Sequence, residues 1–209
     1  MRFNKKAALE LSITAIVVLI IAITILGLGI GFIKKQFGAG TKLVGGELTK
    51  IQDQMREQVR TGGDLLVFNM VEDQASIGKP ADMLIGVRNT AANPGGDRVC
   101  FRVEFRCIKP FTIDSHCNAN GDDNTAVGGY DSQDWLPVTT TSWFKSLLAE
   151  FDLKNYEGEV YDAQMLVRGI KPDSYSMELN VYIEKDYNNC DAKGEFQPYA
   201  SKTFTLKVV

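Results

Sequence analysis

The hydrophobic positions of this 209-residue chain follow three different rhythms along its length. From Leu11 to Ile33 there is no charged residue, and Ile, Leu and Val dominate. At about 1.5 Å per residue a helix over this run is roughly 34 Å long, enough to cross a hydrocarbon core of about 30 Å. Gly38, Gly40, Gly45 and Gly46 then break the chain. Beyond them Leu48, Ile51, Met55 and Val59 recur at spacings of 3, 4 and 4 and predict an amphipathic helix over 47–60, closed by Gly62 and Gly63. Its stripe can pack on the chain's own head or on a neighbouring subunit.

From residue 64 onward the period falls to two. Residues 65–70 and 82–89 are short apolar runs. Over 99–107, Val99, Phe101, Val103, Phe105 and Cys107 alternate with Cys100, Arg102, Glu104 and Arg106. Over 174–184, Tyr175, Met177, Leu179, Val181 and Ile183 alternate with polar neighbours, and 203–209 places Phe204, Leu206 and Val208 on one face. Turn signals at 78–80, 93–96, 128–129 and 171–173 separate the runs. The pattern predicts an all-β head, an immunoglobulin-like antiparallel β-sandwich, behind a long N-terminal transmembrane α-helix. The segment from Trp143 to Phe151 interrupts the alternation and reads as a short helix or irregular crossover. The Tyr175 position at the start of a strand suggests a tyrosine corner. The expected division is a basic leader over 1–10, a transmembrane helix over 11–37, a Gly-hinged linker with its helix over 38–63, and the ectodomain over 64–209.

Charge narrows the function classes. Of 23 basic and 26 acidic residues, three basic and one acidic fall in 1–33, so the remainder is mildly acidic. No basic stripe suited to phosphate is visible, and nucleic acid is not an expected partner. The apolar run is too long for a secretory signal, and Lys34 and Lys35 follow it as a stop. The expected location is the cell membrane, crossed once, with the C-terminal domain outside.

All four cysteines lie beyond the span, which suggests disulfides in an oxidising compartment. Cys100 and Cys107 stand about 23 Å apart in one strand and face opposite ways, so they cannot bridge each other. A Greek-key path brings the loop 186–197 to the start of that strand. The expected bridges are therefore Cys100–Cys190 and Cys107–Cys117.

Candidate chemistry is sparse. His116 is the only histidine and adjoins Cys117, which the pairing above oxidises. Asn118, Asn120, Asp122, Asp123 and Asn124 supply oxygen ligands, but the spacing lacks the glycine and glutamate of a calcium loop, and a polar surface loop is the favoured reading. No catalytic residue, metal ligand or cofactor is expected, and the chain does not read as an enzyme. Tyr130, Trp135 and Trp143 offer aromatic surface for a glycan, or packing for a core.

Glu10 stands at the mouth of the apolar run, after Lys5 and Lys6. This arrangement resembles the class III signal of archaeal type IV pilins and archaellins. In that family a basic leader precedes a peptidase site, and a glutamate occupies the fifth mature position. The resemblance implies processing around Lys5, Lys6 and Ala7 by a prepilin-type peptidase. It also implies a filament in which Glu10 pairs with a neighbouring subunit's N-terminal amine. A hydrated carboxylate at the lipid boundary near the helix N-terminus is the alternative role. Gly27 and Gly31 form a small-xxx-small pair that permits close helix approach, so self-association through this helix is expected alongside the lipid bilayer. The rival reading is a permanent single-pass anchor whose head binds an envelope protein or a glycan, similar in layout to accessory proteins of archaeal motility filaments.

Overall fold

The structure, a computed structural model, describes residues 15–26, 49–72, 74–184, 190 and 195–209. The chain divides into two units, Met1–Lys50 and Ile51–Val209. In the first, residues 15–26 form helix α1. Among the described residues no helix is long and apolar enough to cross a membrane. The expected span over 11–37 runs on both sides into residues outside those described, as do Lys5, Lys6, Ala7, Glu10, Gly27 and Gly31.

The second unit is a β-sandwich. Its strands are β1 (Leu66–Met70), β2 (Gln74–Ala75), β3 (Ala81–Arg88), β4 (Arg98–Pro110), β5 (Thr125–Gly129), β6 (Phe144–Ser146), β7 (Glu150–Lys154), β8 (Gly158–Met165), β9 (Asp173–Glu184) and β10 (Phe196–Val208). One sheet has the order β1-β3-β8-β6. The other runs β2-β10-β9-β4-β5, with β7 also paired to β4. Every pairing is antiparallel except the two-residue β2–β10 contact. The inward positions of β4 and β9 are buried as their alternation requires, and they face Met83, Ile85 and Val87 of β3. Aromatic rings lock the sheets together: Phe105 meets Phe144 at 4.5 Å and Phe151 meets Tyr161 at 4.4 Å.

A helix over 49–61, α2, covers the outer face of the four-stranded sheet. Met55 and Val59, from the predicted stripe, are buried there. Val59 sits against Gly86 and Gly158, where any Cβ would collide with it. The stripe thus packs on its own head. Gln52 donates to Asp162 and the Arg88 guanidinium reaches the Gly62 carbonyl, so the helix descends along β8 toward the Arg88–Gly158 end.

The segment 143–151 is not helical. Phe144–Ser146 joins one sheet and Glu150–Lys154 the other, so the chain crosses between sheets through three residues. Leu148 is exposed and Trp143 buried, which leaves no apolar stripe for a helix to bury. The last strand begins at Phe196 rather than near Thr203, because β9 offers a partner along its whole length. Pro198 is accommodated by a bulge between Pro198 and Ala200, on a strand whose other edge is paired only at its end. The buried Tyr175 turns its hydroxyl back to donate to the Lys171 carbonyl at 2.7 Å, the contact of a tyrosine corner.

Candidate functional site

Alternation assigns Cys100, Arg102, Glu104 and Arg106 to the face of β4 turned away from the core. The structure covers that face. Cys100 and Glu104 are fully buried and Arg106 nearly so. The cover is the loop 130–137 between β5 and β6, together with the start of β10 and Cys190.

At the centre stands Glu104. Its Oε1 accepts from Arg106 Nη2 at 2.6 Å, from the Ser132 amide at 3.0 Å and from the Ser132 hydroxyl at 3.0 Å. Its Oε2 accepts from Asn180 Nδ2 at 3.2 Å and from the Tyr182 hydroxyl at 2.9 Å. Burial pushes the carboxyl up, but Arg106, the Ser132 amide and Tyr182 outweigh it, and Glu104 stays below the usual carboxylate range. Arg106 also donates to Asp131 Oδ1 at 2.9 Å and to the Asn124 carbonyl at 2.8 Å. Burial, opposed by the Ser132 hydrogen bond and reinforced by the Glu104 charge, pushes Tyr182 up to about 12.

The network fixes the loop above it. The Asp131 amide donates to the Leu136 carbonyl at 3.0 Å and the Trp135 amide to the Asp131 carbonyl at 2.7 Å. Within this closed turn Trp135 takes φ 57°, a left-handed conformation costly for a bulky residue. Gly129 precedes the loop with φ 80°, and a Cβ there would run into the Val103 carbonyl. The Trp135 ring packs on Tyr182 at 5.0 Å and on Phe196 at 5.1 Å, while Leu136 is left exposed. Arg102 lies between the rings of Tyr130 and Phe196, 4.3 and 4.1 Å from their centroids, and pairs with Glu150 at 2.6 Å. Beside the loop an open groove of about 510 Å³ runs past Asn180, Tyr182, Pro198 and Ser201.

Of the aromatic residues expected as sugar platforms, Tyr130 and Trp135 meet here through Arg102, Tyr182 and Phe196. Trp143 does not: it is buried against Tyr175 at 5.6 Å. Cys100 bridges Cys190 and Cys107 bridges Cys117. Cys100, Glu150 and Cys190 cluster closely, but both sulfurs are spent in the disulfide and cannot ligate a metal. His116 lies 3.6 Å from Asp123. The loop after it is closed on itself: Asn118 Oδ1 accepts from the Asn120 and Asp122 amides, Asp122 accepts from Asn118, and Asp123 accepts from the Cys117 amide.

Glu104 and Arg106 escaped the sequence reading because alternation marks them as a solvated face. One signal was present: Cys100 shares that face, and a cysteine bridged from an outward position brings a cover with it. Chemically the cluster is saturated. Glu104 has five donors and a lowered pKa, so it is held as an anion and is unsuited to giving up or taking a proton. What the arrangement does is hold a strained aromatic loop beside a groove.

No protein-family model matches the chain, and no curated protein matches it. Among solved structures, it is similar to the ASH / PapD-like domain 7 of human CEP192, with 10% identity, a TM-score of 0.33, and coverage of 69% of this chain and 82% of that one. It is also similar to AvmM, whose structure is titled for macrocyclization in alchivemycin A biosynthesis, with 8% identity, a TM-score of 0.36, and coverage of 71% and 92%. At these identities and scores neither neighbour bears on what this chain does.

Proposed function

We propose that the chain is a membrane-anchored cell-surface structural protein, a pilin-like filament or envelope subunit, and not an enzyme. The observation that carries this reading is helix α1. From Ile16 to Leu26 its large side chains, all apolar, are exposed on every face of the helix. A helix that is apolar all round needs lipid or neighbouring apolar helices around it. The two disulfides support an oxidising compartment for the head, and so support the reading of a C-terminal domain outside a cell membrane crossed once. We read the sandwich as immunoglobulin-like; the two facing sheets and the Tyr175–Lys171 contact support this.

The second reading is a permanent single-pass anchor whose head binds an envelope protein or glycan. The rigid 130–137 loop, with Trp135 held in place and Leu136 exposed, favours it. N-terminal sequencing of the protein from native membranes separates the two. A start at Lys6 or Ala7 fits processing and assembly, and an intact Met1 fits a permanent anchor. For Glu10→Ala, the pilin reading expects loss of filaments with membrane insertion retained; unchanged filaments count against it.

A further inference from the structure

One end of the sandwich differs from the rest of its surface. Ile113 is 95% exposed and Phe111 67% exposed, and Ile77 and Val209 are exposed beside them. Register links Ile77, Val209 and Phe111, and Ile113 follows Phe111 by two residues in the turn after β4. The Phe111 amide donates to the Ser174 carbonyl, Val208 pairs with Asp173, and the Ile77 amide donates to the Val209 carbonyl. They therefore span four neighbouring strand positions, roughly 15 Å across at ~4.8 Å per strand. The tip is braced. Cys107–Cys117 closes its base, Asp173 accepts from the Thr112 amide at 2.9 Å, and Lys171 Nζ donates to the Asp114 carbonyl at 2.8 Å. A braced backbone keeps Phe111 and Ile113 projecting where a loose loop would fold them inward.

We propose that this end is a lipid-contact tip: Phe111 and Ile113 insert into the interfacial layer of a bilayer, and the lysines around them meet its phosphates. Lys79, Lys109, Lys171 and Lys207 are exposed at this end and none forms an ion pair among the described residues. Of the nearest acids, Asp114 is exposed, whereas Asp173 turns its carboxylate back to Thr112 and Ser174. Apolar tips rimmed by lysine suit the headgroup region, where the rings and alkyl chains go under and the ammonium groups stay at phosphate level.

The inference rests on the membrane-anchored reading, and its test separates the two. The full chain and its Phe111→Trp variant are reconstituted with phosphatidylcholine–phosphatidylglycerol vesicles, with and without bromine on the acyl chains. Trp143 is buried, and Trp135 sits beside Tyr182, roughly 30 Å along β9 from Asp173, so the unsubstituted chain supplies the background. An inserted tip brings the new indole close to the bromines and is expected to lose roughly half of its emission. Ile113→Trp is expected to do the same, and Lys109→Glu with Lys171→Glu to reduce the loss. Chain that sediments with the vesicles but shows no added quenching overturns the tip and leaves the anchor standing. Chain that stays in the supernatant overturns the anchor, and the tip with it. A concentration-dependent emission shift that ignores the lipid assigns the surface to a second copy and also overturns the proposal.

Discussion

Arg106 reaches back two residues along strand β4 to Glu104 and closes a 2.6 Å ion pair, with the carboxylate fully buried and the guanidinium nearly so. Residues two apart on a strand share a face, so the strand itself supplies the proximity. Neither charge is near enough to solvent to be left alone. Glu104→Ala leaves the buried Arg106 with the half-exposed Asp131 as its remaining carboxylate among the described residues and is expected to destabilise the head by about 3–5 kcal/mol. Replacing both partners by apolar residues is expected to cost less than the sum of the single changes, measured by denaturant unfolding of all four species.

The same carboxylate sets the acid limit. Its pKa is lowered in the fold, so the stabilisation is fully present above the ordinary carboxylate value of 4.5 and is lost as pH falls through the folded value. Thermal unfolding followed from pH 7 downward is expected to show this loss in the native chain and a flatter profile in Glu104→Gln. Tyr182 acts at the other limit. Its neutral form is favoured up to about 12, so its contribution holds below pH 10 and disappears between 10 and 12. Burial raises Tyr161, Tyr130 and Tyr175 as well, so Tyr182→Phe is expected to fall less steeply over this window than the native chain, and an equally steep fall would remove Tyr182 as a cause.

The two disulfides are expected to differ in weight. Cys100–Cys190 closes 90 residues and Cys107–Cys117 closes 10. In the chain-entropy model these correspond to about 4.6 and about 2.7 kcal/mol. Replacing Cys100 and Cys190 together by Ser should lower the unfolding midpoint more than replacing Cys107 and Cys117. The reverse order would show that burial of the Cys107–Cys117 pair in the core outweighs loop entropy.

Helix α2 is seated by the absence of two side chains. Gly86 and Gly158 leave room for Val59, and a methyl at either meets it. Gly158→Ala is expected to cost about 1–3 kcal/mol by overpacking. Combined with Val59→Ala it should cost less than the two changes added. Full additivity, measured by chemical denaturation, would mean that the helix shifts without resistance.

Period-two alternation over 99–107 and 174–184 places the inward residues of β4 and β9 correctly, because a strand buried on one face must repeat every second residue. Spacings of 3, 4 and 4 locate α2 for the matching helical reason. The bridges were also legible, since a rigid strand holds Cys100 and Cys107 too far apart to meet. The segment 143–151 was not, because three-residue strands are too short to show a period and take their form from partners such as Met165.

The chain's own residue order determined the apolar helix, the two-faced strands and the cysteine partners, all of which follow from local periodicity or from reach along one element. Tertiary structure decided which outward faces stay wet. Glu104 and Arg106 are polar and lie on the face of β4 opposite its apolar residues. The loop 130–137 and the start of β10, 24 or more residues away in sequence, fold over them and turn a charged surface into a buried network. Conversely, Phe111 and Ile113 are apolar and were free to be core, yet the strand register carries them past the last core layer into the open. Burial depends on what arrives from elsewhere in the chain, and no local pattern contains that.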